Sequence, residues 1–195
     1  LTPIAKAFGT DVGVDVASLG VQIHGGMGYI EETGAAQHYR DARITPIYEG
    51  TNGVQALDLV GRKLGLEAGK YWQDLFADMR ADVSSLAGND DLEAMKPYLE
   101  DALEALVATT HWIVGQGFEN ADHIAAGATP YLRMFALVLG GYLLMKQALA
   151  NGDKTKVKTA RFFAEQFLPQ ATALQGPVTR GADMLYALSE EDFAA

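Results

Sequence analysis

The segment PIYEGTNG, residues 46–53, sets a carboxylate, Glu49, between an aromatic residue and a glycine just ahead of a helix start. A carboxylate there can simply complement the positive end of the helix dipole. It can also serve as a base held over a ligand. Pro46, Ile47 and Tyr48 give it an apolar approach, Gly50 leaves one side open, and Thr51 and Asn52 supply capping groups. That setting suits a poised base better than a side chain in free solvent. A second stretch, HGGMGY (24–29), is glycine-rich and has to be tested as a phosphate cradle. No Lys-Ser or Lys-Thr follows, so it is no Walker loop. Gly26-x-Gly28 lacks the third glycine of the dinucleotide fingerprint and follows a helix, not a strand. It reads as a tight turn whose backbone N–H groups can approach an anion. His24, His38, His111 and His123 show no metal-ligand spacing, and only His24 lies near either stretch. No metal site is expected.

The elements that position these residues are helical. Thr2 reads as a cap with Pro3 at the first helical position. Ile4, Phe8, Val12, Val16, Leu19 and Ile23 then mark one buried face of a helix that must end at HGGMG, where glycines crowd. A short helix is expected over 34–43, broken by Pro46. The next starts at Thr51 or Asn52; with Asn52 as cap, Gln55 completes a capping box, and Val54, Leu57, Gly61 and Leu64 form the inner stripe. GLEAGK (65–70) is the expected domain boundary, giving units of 1–68 and 69–195. Beyond it helices are expected over about 70–87, 91–116, 130–150, 154–168 and 169–188. Their breaks fall at AGNDD, at GQGFENADHIAAGATP (115–130), at ANGDK (150–154) and at Pro169. No run alternates with period two. The expected fold class is all-α, a helical bundle followed by a second helical bundle.

Composition limits the partners. The 195 residues are 49% hydrophobic and 21% charged, with a net charge of −10, which argues against nucleic acid. Residues 1–69 hold 5 basic and 8 acidic side chains and residues 70–195 hold 10 and 17, so the acidity is concentrated in the second part. There is no cysteine, hence no disulfide or thiolate site, which fits a reducing, cytoplasmic setting. The run YLRMFALVLGGYLLMKQALA (131–150) is long enough to span a bilayer, but its Arg133 and Lys146 favour a buried bundle helix, and no membrane span is expected.

VQIHGGMGYIEE followed by QHYRDARITPIYEGTNGVQ, with Gln22 and Glu49 separated by 27 positions, resembles the C-terminal helical domain of the acyl-CoA dehydrogenases over about residues 1–64. The remainder resembles, by length and helical character, the extension of the 3-methylmercaptopropionyl-CoA dehydrogenase-like branch. The resemblance implies FAD as cofactor and an acyl-CoA as substrate. Glu49 is implied as the base that removes the proton next to the thioester, with Tyr48 and Gly50 beside the substrate. Its backbone N–H is implied as a donor to the thioester oxygen. Thr51, Asn52 and Gln55 are implied as contacts of the flavin. Gln22, Gly25 and Gly26 are implied as contacts of the dinucleotide of a neighbouring subunit in a homo-oligomer. Arg40, Asp41 and Arg43 match the family's RDARI run and are read as packing ion pairs. An electron-transferring flavoprotein is the implied electron acceptor. Enclosure between an acyl chain and the flavin is expected to strip water from Glu49 and make it a stronger base, a setting with which the apolar neighbours Ile47 and Tyr48 are consistent. The rest of the family's fold is not in this sequence, so the chain reads as part of a longer polypeptide and is expected to bind FAD poorly and be inactive alone. The alternatives are an acyl-CoA oxidase or a helical assembly module without catalysis.

Overall fold

A computed structural model describes residues 1–116, 120–151 and 153–193. The helices in chain order are α1 (Thr2–Ile23), α2 (Gly26–Tyr29), α3 (Ala35–Ala42), α4 (Asn52–Asp58), α5 (Lys70–Ser84), α6 (Lys96–Gln116), α7 (Ala121–Asn151), α8 (Lys154–Gln166), α9 (Leu168–Ala173) and α10 (Gln175–Thr179). Short 3₁₀ turns and one π turn join them, and there is no strand among the described residues. The chain is all-α, as its periodicity predicts.

Several local expectations are corrected. The cap of α1 is Leu1, and Thr2 is already helical and makes no capping bond. The glycines after α1 do not only terminate it: Gly26–Tyr29 winds into the short α2, with the reversal made at Gly25 (φ 61°). The long break expected through Pro130 does not exist in that form. Residues 117–119 of it, and Gly152 of the break at 150–154, lie outside the described residues. From Ala121 onward the chain is helical and carries Pro130 inside α7. A proline there forfeits a backbone bond. Burial of Ala128, Tyr131 and Leu132, and the close approach of Gly127 to α10, hold the helix regardless. A Cβ on Gly127 would lie 2.6 Å from the Val178 carbonyl oxygen. The last expected helix, 169–188, is instead the short α9 and α10 followed by a 3₁₀ turn at Asp183–Tyr186.

The inner stripe of α4 is also displaced. After Asp58 the helix widens into a π turn, Leu59–Lys63, closed by the Leu64 N–H donating to the Leu59 carbonyl (3.1 Å). An i→i+5 bond sets Leu64 about one turn beyond Leu59, so Ala56, Leu59, Val60 and Leu64 face inward. Val54 and Leu57 are left outside. On α1 the buried face fades along its length: Ile4 and Ala7 are buried, whereas Val16, Leu19 and Ile23 are exposed.

α7 is the axis of the molecule. It packs on α1 and α4 at the front and on α6, α8, α9 and α10 behind. Its apolar run, which sequence alone allows to cross a bilayer, is largely buried among these neighbours, with Tyr131, Met134, Phe135, Leu137, Val138 and Met145 all nearly inaccessible. One hydrophobic cluster runs from Ile4 and Ala7 through Ala56 and Leu59 to Val178, without interruption at the join. That join, Leu66–Gly69, places Glu67, Ala68 and Gly69 in succession in the left-handed region (φ 49°, 54° and 85°). It is held by the Trp72 indole N–H donating to Leu64 O (3.1 Å), with the Trp72 ring edge-on to His111.

Polar cross-links stitch the rear helices. Asp82 on α5 accepts from the Tyr142 hydroxyl (2.6 Å) and Lys146 Nζ (2.8 Å) of α7. The hydrogen bonds from Lys146 and Tyr142 hold the Asp82 carboxyl below its ordinary range. Burial, and then Asp82 itself, push the Tyr142 phenol up to about 12.

Candidate functional site

The loop between α3 and α4 carries Glu49. It leaves α3 through a turn in which the Ile47 and Tyr48 N–H groups donate to Ile44 O (3.0 and 3.1 Å), and closes when the Asn52 N–H donates to Pro46 O (3.0 Å). Between those bonds the backbone turns left-handed twice, at Glu49 (φ 54°) and Gly50 (φ 82°). Glycine tolerates this; a glutamate in that conformation costs about 1–2 kcal/mol. The strain persists because both carbonyls are pinned. Gln55 Nε2 donates to Glu49 O (3.1 Å), and Lys6 Nζ donates to Gly50 O (2.8 Å).

The other end of the loop is tied to α1. Lys6 Nζ also reaches Asn52 Oδ1 (2.8 Å) and lies 6.0 Å from the Tyr48 ring centroid. The Asn52 Nδ2 amide is within bonding distance of Ala7 O (3.1 Å), Thr10 Oγ1 (2.9 Å) and Asp11 Oδ1 (2.6 Å). Thr51, not Asn52, caps α4, its hydroxyl accepting from the Val54 N–H (3.3 Å). The capping box read from the sequence is therefore absent: Gln55 is used on the Glu49 carbonyl. The Glu49 N–H has no acceptor among the described residues.

Glu49 is exposed, and so are its neighbours Ile47 (52%) and Tyr48 (49%). The loop stands on the surface with its backbone held down, so the water expected to be stripped from Glu49 by bound groups has free access to it in this chain. Of the residues singled out, Tyr48, Glu49, Gly50, Thr51, Asn52 and Gln55 come together here.

Gln22, Gly25 and Gly26 do not join them. α1 rises about 1.5 Å per residue, so Gln22 lies roughly 24 Å along the axis from Lys6. All three are exposed, and no atom stands within 4 Å of where a Cβ on Gly25 or Gly26 would lie. The turn is tightly packed behind them. A Cβ on Gly28 would meet the Val21 carbonyl oxygen at 2.2 Å, so only glycine allows α2 to fold back on α1. His24 is tied to its own helix end, with Nδ1 2.8 Å from Gly20 O; a carbonyl only accepts, so Nδ1 carries the hydrogen. Of the RDARI run, Arg40 pairs with Glu31 (3.5 Å) and Asp41 accepts from Gln37 (2.7 Å). Arg43 makes no salt bridge among the described residues.

Sequence reasoning missed Lys6, Thr10 and Asp11. The available signal was a short polar patch on α1, Lys6 and Thr10 one turn apart with Asp11 alongside, on a helix whose other inward positions are apolar.

Two family models match. Residues 1–65 match "Acyl-CoA dehydrogenase, C-terminal domain", and residues 75–189 match "Acetyl-CoA dehydrogenase C-terminal like". A 3-methylmercaptopropionyl-CoA dehydrogenase of Ruegeria pomeroyi is 37% identical over 97% of the chain, an alignment covering 34% of that protein. The chain spans about a third of the length of the curated relatives it matches most fully. The crystal structure of Caenorhabditis elegans ACDH-11 in complex with C11-CoA superposes with a TM-score of 0.70 at 27% identity, over 86% of this chain and 28% of that one. An acyl-CoA dehydrogenase of Bacillus anthracis complexed with FAD has the same fold, with a TM-score of 0.72 at 20% identity over 94% of this chain and 34% of that one. Matched along nearly all its length by models of C-terminal domains, this chain belongs to the acyl-CoA dehydrogenase family, as a C-terminal portion of its fold.

Proposed function

We propose that this chain supplies the catalytic base of an FAD-dependent acyl-CoA dehydrogenase that converts an acyl-CoA thioester to its 2,3-enoyl-CoA. The observation that carries the reading is the loop at Glu49, with a strained backbone, both carbonyls pinned and a free N–H beside an exposed carboxylate. Its relatives are named for acyl-CoA substrates, among them 3-methylmercaptopropionyl-CoA and butyryl-CoA, and ACDH-11 is described in complex with C11-CoA.

The Glu49 carboxylate takes the proton from the carbon next to the thioester carbonyl, and the electron pair left behind forms the double bond to the neighbouring carbon. The Glu49 N–H is free to meet the negative charge that develops on the thioester oxygen, a donor fixed in advance. Gly50 adds no side chain to obstruct that approach. In water a glutamate is a weak base for such a proton, so an acyl chain lying on the exposed Ile47 and Tyr48 has to displace solvent from it.

FAD, when bound, supplies the acceptor for the hydride lost from the second carbon. The residues fit it unevenly. Gly25 and Gly26 present bare backbone with open space beside it, and Gln22 is exposed next to them, which suits a dinucleotide phosphate. Asn52 is taken up by internal partners through both amide atoms, so toward the flavin side Thr51, whose hydroxyl hydrogen remains, and Gln55, whose carbonyl oxygen remains, are the better contacts. The rise of roughly 24 Å along α1 from Lys6, which holds the loop, to Gln22 supports the two groups serving different FAD molecules across a homo-oligomer. An electron-transferring flavoprotein is the electron acceptor we favour.

The test is Glu49→Gln in the complete enzyme, with anaerobic flavin bleaching followed over a panel of acyl-CoAs. General-base removal is worth about 10²–10⁴-fold, so bleaching should slow by that much. Bleaching at the parent rate would overturn the assignment and leave a helical assembly module. Rapid reoxidation in air would convert the reading from dehydrogenase to oxidase.

A further inference from the structure

We propose that Lys6 is the positioning residue for the catalytic loop, a role that rests on Glu49 being the base. Lys6 is half-buried, and its ammonium joins α1 to a loop far from it in sequence. From α1 it donates to Gly50 O and to Asn52 Oδ1, both at 2.8 Å and both on the loop side, while standing 6.0 Å from the Tyr48 ring centroid. The two residues that flank Glu49, Tyr48 and Gly50, are thus both met by a single side chain from α1.

The loop needs such an anchor. Glu49 and Gly50 occupy successive left-handed conformations, and a non-glycine residue holds one only when its surroundings over-determine it. Gln55 fixes the carbonyl of Glu49, but it belongs to the same loop-and-helix unit and would move with it. Lys6 is the contact that refers the Gly50 carbonyl, next to the base, to a separate helix, 44 residues away in sequence. Thr10 and Asp11 extend the same face of α1 and grip only Asn52, three positions beyond the base. Losing the ammonium frees the Gly50 carbonyl, lets φ at Glu49 relax, and swings the carboxylate and the free N–H together. A misplacement of about 1 Å at a reacting group can cost 10²-fold in rate without touching substrate affinity.

Lys6→Met, Glu49→Gln and the double variant are made in the complete enzyme, and the limiting rate of anaerobic flavin bleaching is read against KM, bound FAD and Tm. Lys6→Met should slow bleaching ten- to hundredfold with KM and FAD content unchanged, and should add nothing on top of Glu49→Gln, since Lys6 acts through the base. If the methionine variant loses its FAD, Lys6→Gln takes its place, because a glutamine is too short to reach both acceptors. Parent-like bleaching in these Lys6 variants, or an equal further loss in the Glu49→Gln background, overturns the role of Lys6. Parent-like bleaching in Glu49→Gln alone overturns the base assignment instead.

Discussion

Thr110 and Tyr131 are both fully buried, and the phenol of Tyr131 lies 2.7 Å from Thr110 Oγ1. Thr110 spends its own hydrogen on Leu106 O, also at 2.7 Å, so it accepts from Tyr131, and burial drives the Tyr131 phenol well above its ordinary titration range. The two truncations are therefore unequal. Thr110→Val strands a buried donor that has no other partner, at a cost of about 2 kcal/mol; Tyr131→Phe leaves Thr110 still bonded within its helix and costs about 1 kcal/mol. In the double variant nothing is stranded, so the total falls short of the sum by about 1 kcal/mol. Urea unfolding with m held constant resolves differences of that size. Thr110→Val costing no more than Tyr131→Phe, or strict additivity, would refute the directional argument.

Gly28→Ala drives a Cβ into the Val21 carbonyl oxygen, a backbone atom that cannot step aside. It should cost about 2–3 kcal/mol, seen as a Tm depressed by several degrees. Tyr142 titrates higher folded than unfolded, so its contribution is complete below about pH 10 and vanishes as pH climbs through about 12. Tyr142→Phe should flatten that alkaline limb in a stability–pH profile. Asp82 has the opposite sign: its depressed value contributes above the ordinary carboxylate range and is lost on acidification, so Asp82→Asn should blunt the acid limb.

The all-helical class was legible because apolar residues recur every three or four positions for most of the chain. What covers each apolar face was not. Val16, Leu19 and Ile23 continue the stripe begun by Ile4, yet they are exposed, since periodicity reports a face and not its neighbour. Pro130 reads as a stop, but burial of the residues around it outweighs one lost bond. The π turn at Leu59–Lys63 carries no sequence signature, and the face of α4 that is buried runs through Ala56, Leu59 and Val60, leaving Val54 and Leu57 outside. At the site, Glu49 and its neighbours are one continuous motif and could be found together. Lys6 could not, because its acceptors lie 44 and 46 residues away and a lysine on a helix ordinarily faces water.

The unbroken cluster from Ile4 to Val178 makes α7 the floor beneath the helix that steers the loop. Severing the protein after Gly69 would not release a tidy front module; it would leave Ile4, Ala7 and Ala56 wetted and the seat of Lys6 slack. The rear bundle is thus chassis rather than cargo, and damage deep within it should be felt at the distant carboxylate.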